Sequence, residues 1–347
     1  MKKIIIPTLG LTAHGGVRVL VEVANRLVSR ECDVTIIIPN RPTVSPFVLD
    51  NRVVVKKIGP LTNSKYIAGL YILLISPIYL VNRHVLANHF VTVFPAWLST
   101  CISRSKYFYF VQDIEYRFYK GGFFGFIKIL CEWTYRRGRL IAANSYLASE
   151  LEKYEKALLT LELGVAETFF STPNISTSKE YDIVYFLRKE THKRIDRFNI
   201  LLPMLLAKEY RILCISQDVE LLHAYENKVK TLCPESDDEI IAALDKSKIL
   251  LLTSDHEGFS LPPLEAMARG LPSVIFECGG PAIYAIHEIN SMIVFDGKES
   301  VAFEYVEKLL TDDVFYSELS SHCLVTASRF KLEEAVSVLS NYLIEAY

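Results

Sequence analysis

Two glutamates, Glu257 and Glu265, lie in the chain's densest run of chemistry-bearing residues, TSDHEGFSLPPLEAMARGLPSVIFECGGP from Thr253 to Pro281. Ser260 is expected to cap a helix whose first turn holds Leu261, Pro262 and Pro263. Prolines cost little there, because those N–H groups lack intrahelical partners. The free N–H groups and the positive end of the helix dipole make an anion site. Carboxylates flanking such a site would repel a bare phosphate. They suit a ligand with hydroxyls beside its phosphates, Glu265 accepting from a ribose diol and Glu257 from a sugar. The competing reading is that both are helix-start glutamates favoured by the dipole.

A second cluster lies in YDIVYFLRKETHKRIDRF, where Arg188 leaves a predicted strand and Lys193 follows five residues later. A guanidinium fork and an ammonium point charge together can neutralise a diphosphate. A solvated basic loop is the alternative. A third candidate is the Gly15–Gly16 pair, where the backbone can approach a ligand closely at a helix N-terminus. The pair does not complete G-x-G-x-x-G, which weakens the case for a nicotinamide enzyme, and a plain turn is the competing reading. In YFVQDIEYRFY, Gln112 and Asp113 end a predicted strand. Asp113 could orient or deprotonate an acceptor hydroxyl, with His89 a weaker candidate that fits a structural role better.

The elements that must position these residues alternate between strand and helix. KKIIIP suits a strand buried on both faces. Val17, Leu20, Val21, Ala24, Leu27 and Val28 then recur at helical spacing. DVTIIIP, YFYFVQD and RLIAAN are further strands, and after the polar stretch STPNISTSKEY the pattern restarts with YDIVYF, YRILCIS, KILLLTS, PSVIFE and SMIVF. Such alternation predicts parallel sheets with right-handed crossovers, hence an α/β protein of two doubly wound, Rossmann-like domains. Residues 1–172 form the first and 178–330 the second, with a last helix, Leu332 to Tyr347, crossing back. The domains are expected to face each other across a ligand-binding cleft.

Composition narrows the class. The 347 residues are 50% hydrophobic and 22% charged, which marks a globular protein, and a net charge of −2 argues against bulk nucleic-acid binding. Seven cysteines without a C-x-x-C pair form neither a disulfide framework nor a zinc site, and fit a reducing compartment. The N-terminus reads as a first strand and not as a signal peptide. The apolar run from Tyr66 to Val81 is interrupted by Gly69 and Pro77, and a buried helix is expected there in place of a membrane span. No D-x-D, H-E-x-x-H, P-loop or G-x-S-x-G occurs, so neither a metal nor a cofactor is expected.

The segment HEGFSLPPLEAMARGLPSV resembles the signature of the family 4 retaining glycosyltransferases, E-G-F-G-x-P-x-x-E-A-M-A-x-G-x-P-V. The following ECGGPAIYAIHEINSMIVF resembles that family's next stretch, and the likeness runs through most of the second domain. It implies the GT-B fold, Glu257 on the donor sugar, Glu265 on the nucleotide ribose, and the backbone of Gly258, Phe259, Ser260 and Leu261 on the diphosphate. Arg188 and Lys193 match the family's G-R-x-x-x-x-K-G, in which both bind the donor diphosphate, with Leu187 replacing the glycine. The Gly15–Gly16 loop corresponds to one beside the donor phosphates and the acceptor. Ser260 departs from the usual glycine. Ile283 departs from a frequent glutamate, so no role is carried over there. Gln112 stands where many members have a histidine on the sugar's 6-hydroxyl, which would suit a 6-deoxy, rhamnose-type donor; the same hydrogen bond made by the amide is the equal alternative.

The expected activity is therefore transfer of a sugar from a nucleotide-diphosphate donor to a glycan or lipid-linked acceptor, with retention, in cell-surface polysaccharide synthesis. Fixed cations and a helix N-terminus would stabilise the leaving diphosphate without a metal. A nucleotide-sugar epimerase and a non-catalytic nucleotide-sugar-binding subunit are the rival readings. The expected location is cytoplasmic. The basic, aromatic segment from Tyr119 to Arg139 suggests peripheral contact with an anionic membrane, against a buried helix with a basic end.

Overall fold

The computed structural model describes residues 2–12, 15–42, 47–119, 122, 124–171 and 179–347. The chain divides into two compact units, one of Met1–Leu163 with Glu333–Tyr347 and one of Gly164–Leu332. In the first, β1 (Lys3–Pro7), α1 (Gly15–Ser29), β2 (Asp33–Pro39), β3 (Val54–Ile58), α2 (Lys65–Ile75) and α3 (Pro77–Leu80) are followed by β4 (His84–Ala87), α4 (Phe90–Ile102), β5 (Lys106–Val111), α5 (Phe124–Arg137), β6 (Leu140–Ala142), α6 (Ser145–Leu151) and β7 (Leu159–Thr160). Every strand pair is parallel, in the order β3-β2-β1-β4-β5-β6-β7.

The second unit runs β8 (Tyr181–Phe186), α7 (Ile195–Ala207), β9 (Ile212–Ile215), α8 (Val219–His223), β10 (Lys230–Leu232), α9 (Asp237–Asp245), β11 (Ser247–Leu252), α10 (Leu261–Ala268), β12 (Ser273–Phe276), β13 (Ser291–Val294), α11 (Glu299–Thr311) and α12 (Asp313–Ala327). Its parallel sheet has the order β10-β9-β8-β11-β12-β13. Both sheets are the doubly wound α/β architecture expected from the alternation. The central strands are almost wholly apolar because helices cover both faces. α1 buries Leu20, Val21, Ala24, Leu27 and Val28, the stripe visible in its sequence.

The units divide between Leu163 and Gly164, ahead of the polar stretch, whose residues 172–178 lie outside the described set. The peptide at Val165 bridges to Lys331, and the buried Arg269 donates to the Phe169 carbonyl at 3.0 Å while pairing with Asp245 at 2.7 Å. These bonds fasten the segment before the linker to the second unit. The last helix, α13 (Leu332–Ala346), belongs from Glu333 onward to the first. There Tyr347 stacks on His84 and donates to the Val85 carbonyl at 2.7 Å, and the Lys2 ammonium reaches the Ile344 carbonyl.

One local expectation fails. The run from Tyr66 to Val81 is not one buried helix. It breaks at Ser76, just before Pro77, into α2 and α3, and of α2 only Ala68 and Ile72 are buried. Gly15 and Gly16 open α1 with no positive φ, at a helix N-terminus as the sequence suggests and not in a plain turn.

Candidate active site

In an open α/β sheet, ligands gather at the carboxyl ends of strands where the strand order reverses. In the second unit that point lies between β8 and β11, and the loops leaving these two strands carry Arg188, Lys193 and Glu257. The sheet thus assembles residues about seventy positions apart in sequence.

Several bonds stitch the two loops together. The Lys193 ammonium lies 2.8 Å from each carboxylate oxygen of Glu257, and the Ser254 hydroxyl donates to one of them at 2.6 Å. Thr253 donates to the Lys193 carbonyl at 2.9 Å, and the Asp255 N–H to the His192 carbonyl at 2.8 Å. Asp255 also pairs with Arg194 at 2.8 Å and Arg197 at 3.0 Å. The Glu257 side chain is almost fully buried. A buried carboxylate needs such compensation, since an unpaired one is costly.

Lys193 is therefore not the free cation that spacing alone suggested. Its charge is matched by Glu257, with one of three N–H donors left over. Arg188, partly exposed just beyond β8, has no hydrogen-bond or ion-pair partner among the described residues. It is the cation available to an incoming anion.

The start of α10 differs from expectation in one respect. Ser260 occupies the N-cap position but makes no capping bond; its φ is +65° and its buried hydroxyl oxygen has no partner among the described residues. An L-residue is held where glycine is favoured, and its side chain is turned away from the helix N–H groups. With Pro262 and Pro263 contributing no N–H, the free donors shift into the loop. Among the described residues, the N–H groups of Phe259, Ser260 and Leu261 donate to no carbonyl. Glu265 follows on α10 and is buried.

A third loop braces this arrangement. The Glu257 N–H donates to the Cys278 carbonyl at 2.8 Å, and the Gly280 N–H to the Glu257 carbonyl at 2.9 Å. A Cβ on Gly280 would fall 2.5 Å from the Gly258 carbonyl carbon, so only glycine fits. The buried Tyr284 hydroxyl donates to the carbonyls of Phe259 and Ser260 at 3.2 and 2.5 Å. Sequence reasoning missed Ser254, Asp255 and Tyr284. The first two follow directly on β11 and were legible as strand-end residues; the reach of Tyr284 back to the loop was not.

In the first unit the strand order reverses between β1 and β4, and the adjoining β1, β4 and β5 loops carry the remaining candidates. Gln112 donates from Nε2 to the Gly16 carbonyl at 3.2 Å, and its Oε1 would lie 2.2 Å from a Cβ on Gly16. Gly15 starts the same helical turn. Asp113 accepts from the Ile114 N–H at 2.7 Å. His89 caps α4, its Nδ1 accepting from the Val91 N–H at 3.3 Å. Burial pushes its pKa down to about 4, so the ring is neutral with its proton on Nε2.

A further residue, Glu115, was not foreseen. Its carboxyl accepts from the Phe90 N–H at 2.9 Å and the Tyr109 hydroxyl at 2.6 Å, holding the start of α4 beside His89. Burial raises its pKa to about 8, against the lowering effect of those two donors. Among the described residues no group of three His, Cys, Asp or Glu side chains forms a metal-binding cluster.

Comparison with known proteins gives this geometry a family context. Residues 171–323 match the family model of glycosyl transferases, group 1. That span holds Arg188, Lys193, Glu257 and Glu265, and all of the second sheet. A serotype-specific mannosyltransferase, WbdA of Escherichia coli, is 35% identical over 104 residues, covering 27% of this chain and 11% of that protein. The chain thus spans only about a tenth of the length of the curated relatives it matches. Among solved structures, sucrose-phosphate synthase from Thermosynechococcus elongatus superposes with a TM-score of 0.82 at 12% identity, covering 100% of this chain and 99% of that one. HepE from Anabaena, in complex with UDP-glucose, gives 0.73 at 15% identity with 100% of both chains covered. WaaG, a glycosyltransferase involved in lipopolysaccharide biosynthesis, gives 0.73 at 13% identity, covering 98% and 99%. The fold is the GT-B fold, shared with these structures.

Proposed function

We propose that this chain is a glycosyltransferase that moves a hexose from a nucleoside-diphosphate donor to a glycan or lipid-linked acceptor in cell-surface polysaccharide synthesis. One observation carries the reading. At the switch point of the second sheet, the unpaired Arg188 guanidinium leaves one loop while the buried carboxylates Glu257 and Glu265 bracket the free N–H groups of Phe259 to Leu261. A ligand suited to that set carries a dianionic centre with hydroxyls on both sides, as a nucleotide sugar does. The group 1 match over the same residues supports it.

In this reading Arg188, the remaining proton of Lys193 and the loop N–H groups stabilise the leaving diphosphate, a role that preorganised donors fill without a metal. Glu257 holds the sugar and Glu265 the ribose. Asp113, Gly15, Gly16 and Gln112 serve the sugar and the acceptor. Retention of configuration, a cytoplasmic location and membership of family 4 belong to the same proposal. The 6-deoxy donor rests on Gln112 alone, and relative turnover with a 6-deoxy and a 6-hydroxy donor tests it.

The deciding experiment is acceptor-dependent release of nucleoside diphosphate from a panel of nucleotide hexoses, with chelator present. Arg188→Ala is expected to lower turnover by roughly two to three orders of magnitude, as loss of one transition-state donor does. Conversion of the donor without acceptor would favour an epimerase. Donor binding without turnover, across a broad acceptor panel, would favour a non-catalytic subunit.

A further inference from the structure

The first unit carries a stretch of unusual charge. From Asn51 to Gln112 there is no Asp or Glu, while Arg52, Lys56, Lys57, Lys65, Arg83, Arg104 and Lys106 are all cationic. Since the whole chain has a net charge of −2, positive charge is concentrated here and outweighed elsewhere. The stretch folds as β3, α2, α3, β4, α4 and β5, and β3 forms the edge of the sheet.

Its outer surface is apolar. Tyr66, Leu70 and Leu74 recur every fourth residue along α2, and Ile78 continues the stripe on α3. Tyr66 is 75% exposed, Leu74 72% and Ile78 73%. A helix this uniformly apolar is ordinarily buried. Leu61 and, on β3, Val54 and Val55 are exposed as well. Lysines edge the stripe: the Lys56 ammonium lies 3.9 Å above the Tyr79 ring, and Lys65 lies 5.5 Å from the Tyr66 ring.

We propose that this face, formed by β3, α2 and α3, docks on an anionic lipid bilayer. Leucine, isoleucine and tyrosine side chains enter the headgroup and acyl boundary, while the lysines reach lipid phosphates at its edge. Charge selects this occupant. Two copies of a face that carries Lys56, Lys57 and Lys65 and no carboxylate of its own repel each other, and a nucleic acid would leave the apolar stripe in water. No described helix is long and apolar enough to cross a membrane. The segment expected to make the membrane contact, Tyr119 to Arg139, exposes Phe126, Ile129, Arg136, Arg137 and Arg139; Lys120, Gly121 and Phe123 lie outside the described residues. This inference does not depend on sugar transfer, because its readout is lipid binding.

Flotation of the full chain with vesicles of phosphatidylcholine alone, or with about one third phosphatidylglycerol, tests it. Binding is expected only with the anionic lipid and is expected to weaken with salt. Leu70→Asp with Leu74→Asp should lower partitioning at least about tenfold, and Lys56→Gln with Lys57→Gln and Lys65→Gln should lower it several-fold. Unchanged circular dichroism guards against misfolding. Independently, Leu74→Trp in the otherwise intact chain should shift its emission to the blue on adding anionic vesicles. The proposal is overturned by absent binding of the wild type, by undiminished binding of the aspartate variant, or by an emission unmoved by vesicles. Equally, it fails if the aspartate variant dissolves a protein dimer that does not bind vesicles.

Discussion

The ammonium of Lys193 is equidistant, at 2.8 Å, from the two carboxylate oxygens of Glu257. The pair joins the loop after β8 to the loop after β11, and it sets the local charge. With the pair neutral, the positive potential at this switch point comes from Arg188 and the loop N–H groups. Binding a diphosphate therefore does not require Glu257 to leave.

Neutralising that carboxylate should separate affinity from turnover. In Glu257→Gln the ammonium loses its counter-charge, and the affinity for a nucleoside diphosphate is expected to rise several-fold. Turnover should fall by roughly two orders of magnitude, because the sugar loses its acceptor group. Isothermal titration with the diphosphate and steady-state rates measure the two effects. Weaker diphosphate binding in Glu257→Gln would show that the pair is not a brake on the cation.

Two glycines that look alike in sequence should respond differently to alanine. At Gly280 the added Cβ would meet the Gly258 carbonyl carbon at 2.5 Å and its oxygen at 2.6 Å, both backbone atoms that cannot swing aside. A loss of about 1–3 kcal/mol in chemical denaturation is expected. At Gly16 the nearest atom is Oε1 of Gln112, the far end of a flexible side chain. Gly16→Ala should cost less than about 1 kcal/mol and act mainly by displacing Gln112. Equal losses at the two sites would contradict this contrast.

Ser260→Gly is expected to stabilise the second unit. It removes a side chain from a position at φ +65° and a buried hydroxyl without a partner among the described residues. The gain should be about 1 kcal/mol, reduced by the greater entropy of glycine in the unfolded chain. A melting temperature lower than wild type in calorimetry would mean that the hydroxyl contributes more than its surroundings indicate.

Glu115 should make stability depend on pH. Its carboxyl titrates at about 8 when folded, against an ordinary 4.5. Between those values the folded chain keeps a proton that the unfolded chain releases. The contribution is thus fully present below about 4.5 and is lost as pH rises through about 8. Glu115→Gln cannot titrate. Wild type should therefore lose stability relative to this variant between pH 5 and pH 8, which thermal melts across that range measure. A gap that stays constant would mean the carboxyl is ionised in the fold.

Much of the architecture was legible because buried parallel strands must be apolar on both faces. KIIIP, YDIVYF and SKILLL therefore stand out as short hydrophobic runs, and their alternation with amphipathic helices leaves few topologies. Strands β3, β4, β7 and β10 escaped notice: VVKKI lies exposed at a sheet edge, KTL is only partly buried, and HVLA and LT are short. The types and spacing of Arg188, Lys193, Glu257 and Glu265 suggested a diphosphate-sugar chemistry. Tertiary structure alone decided which charges cancel, because pairing depends on through-space distances that spacing along the chain does not encode. It likewise turned an apolar run that reads as core into an exposed face, since burial is set by what packs against a helix and not by its composition.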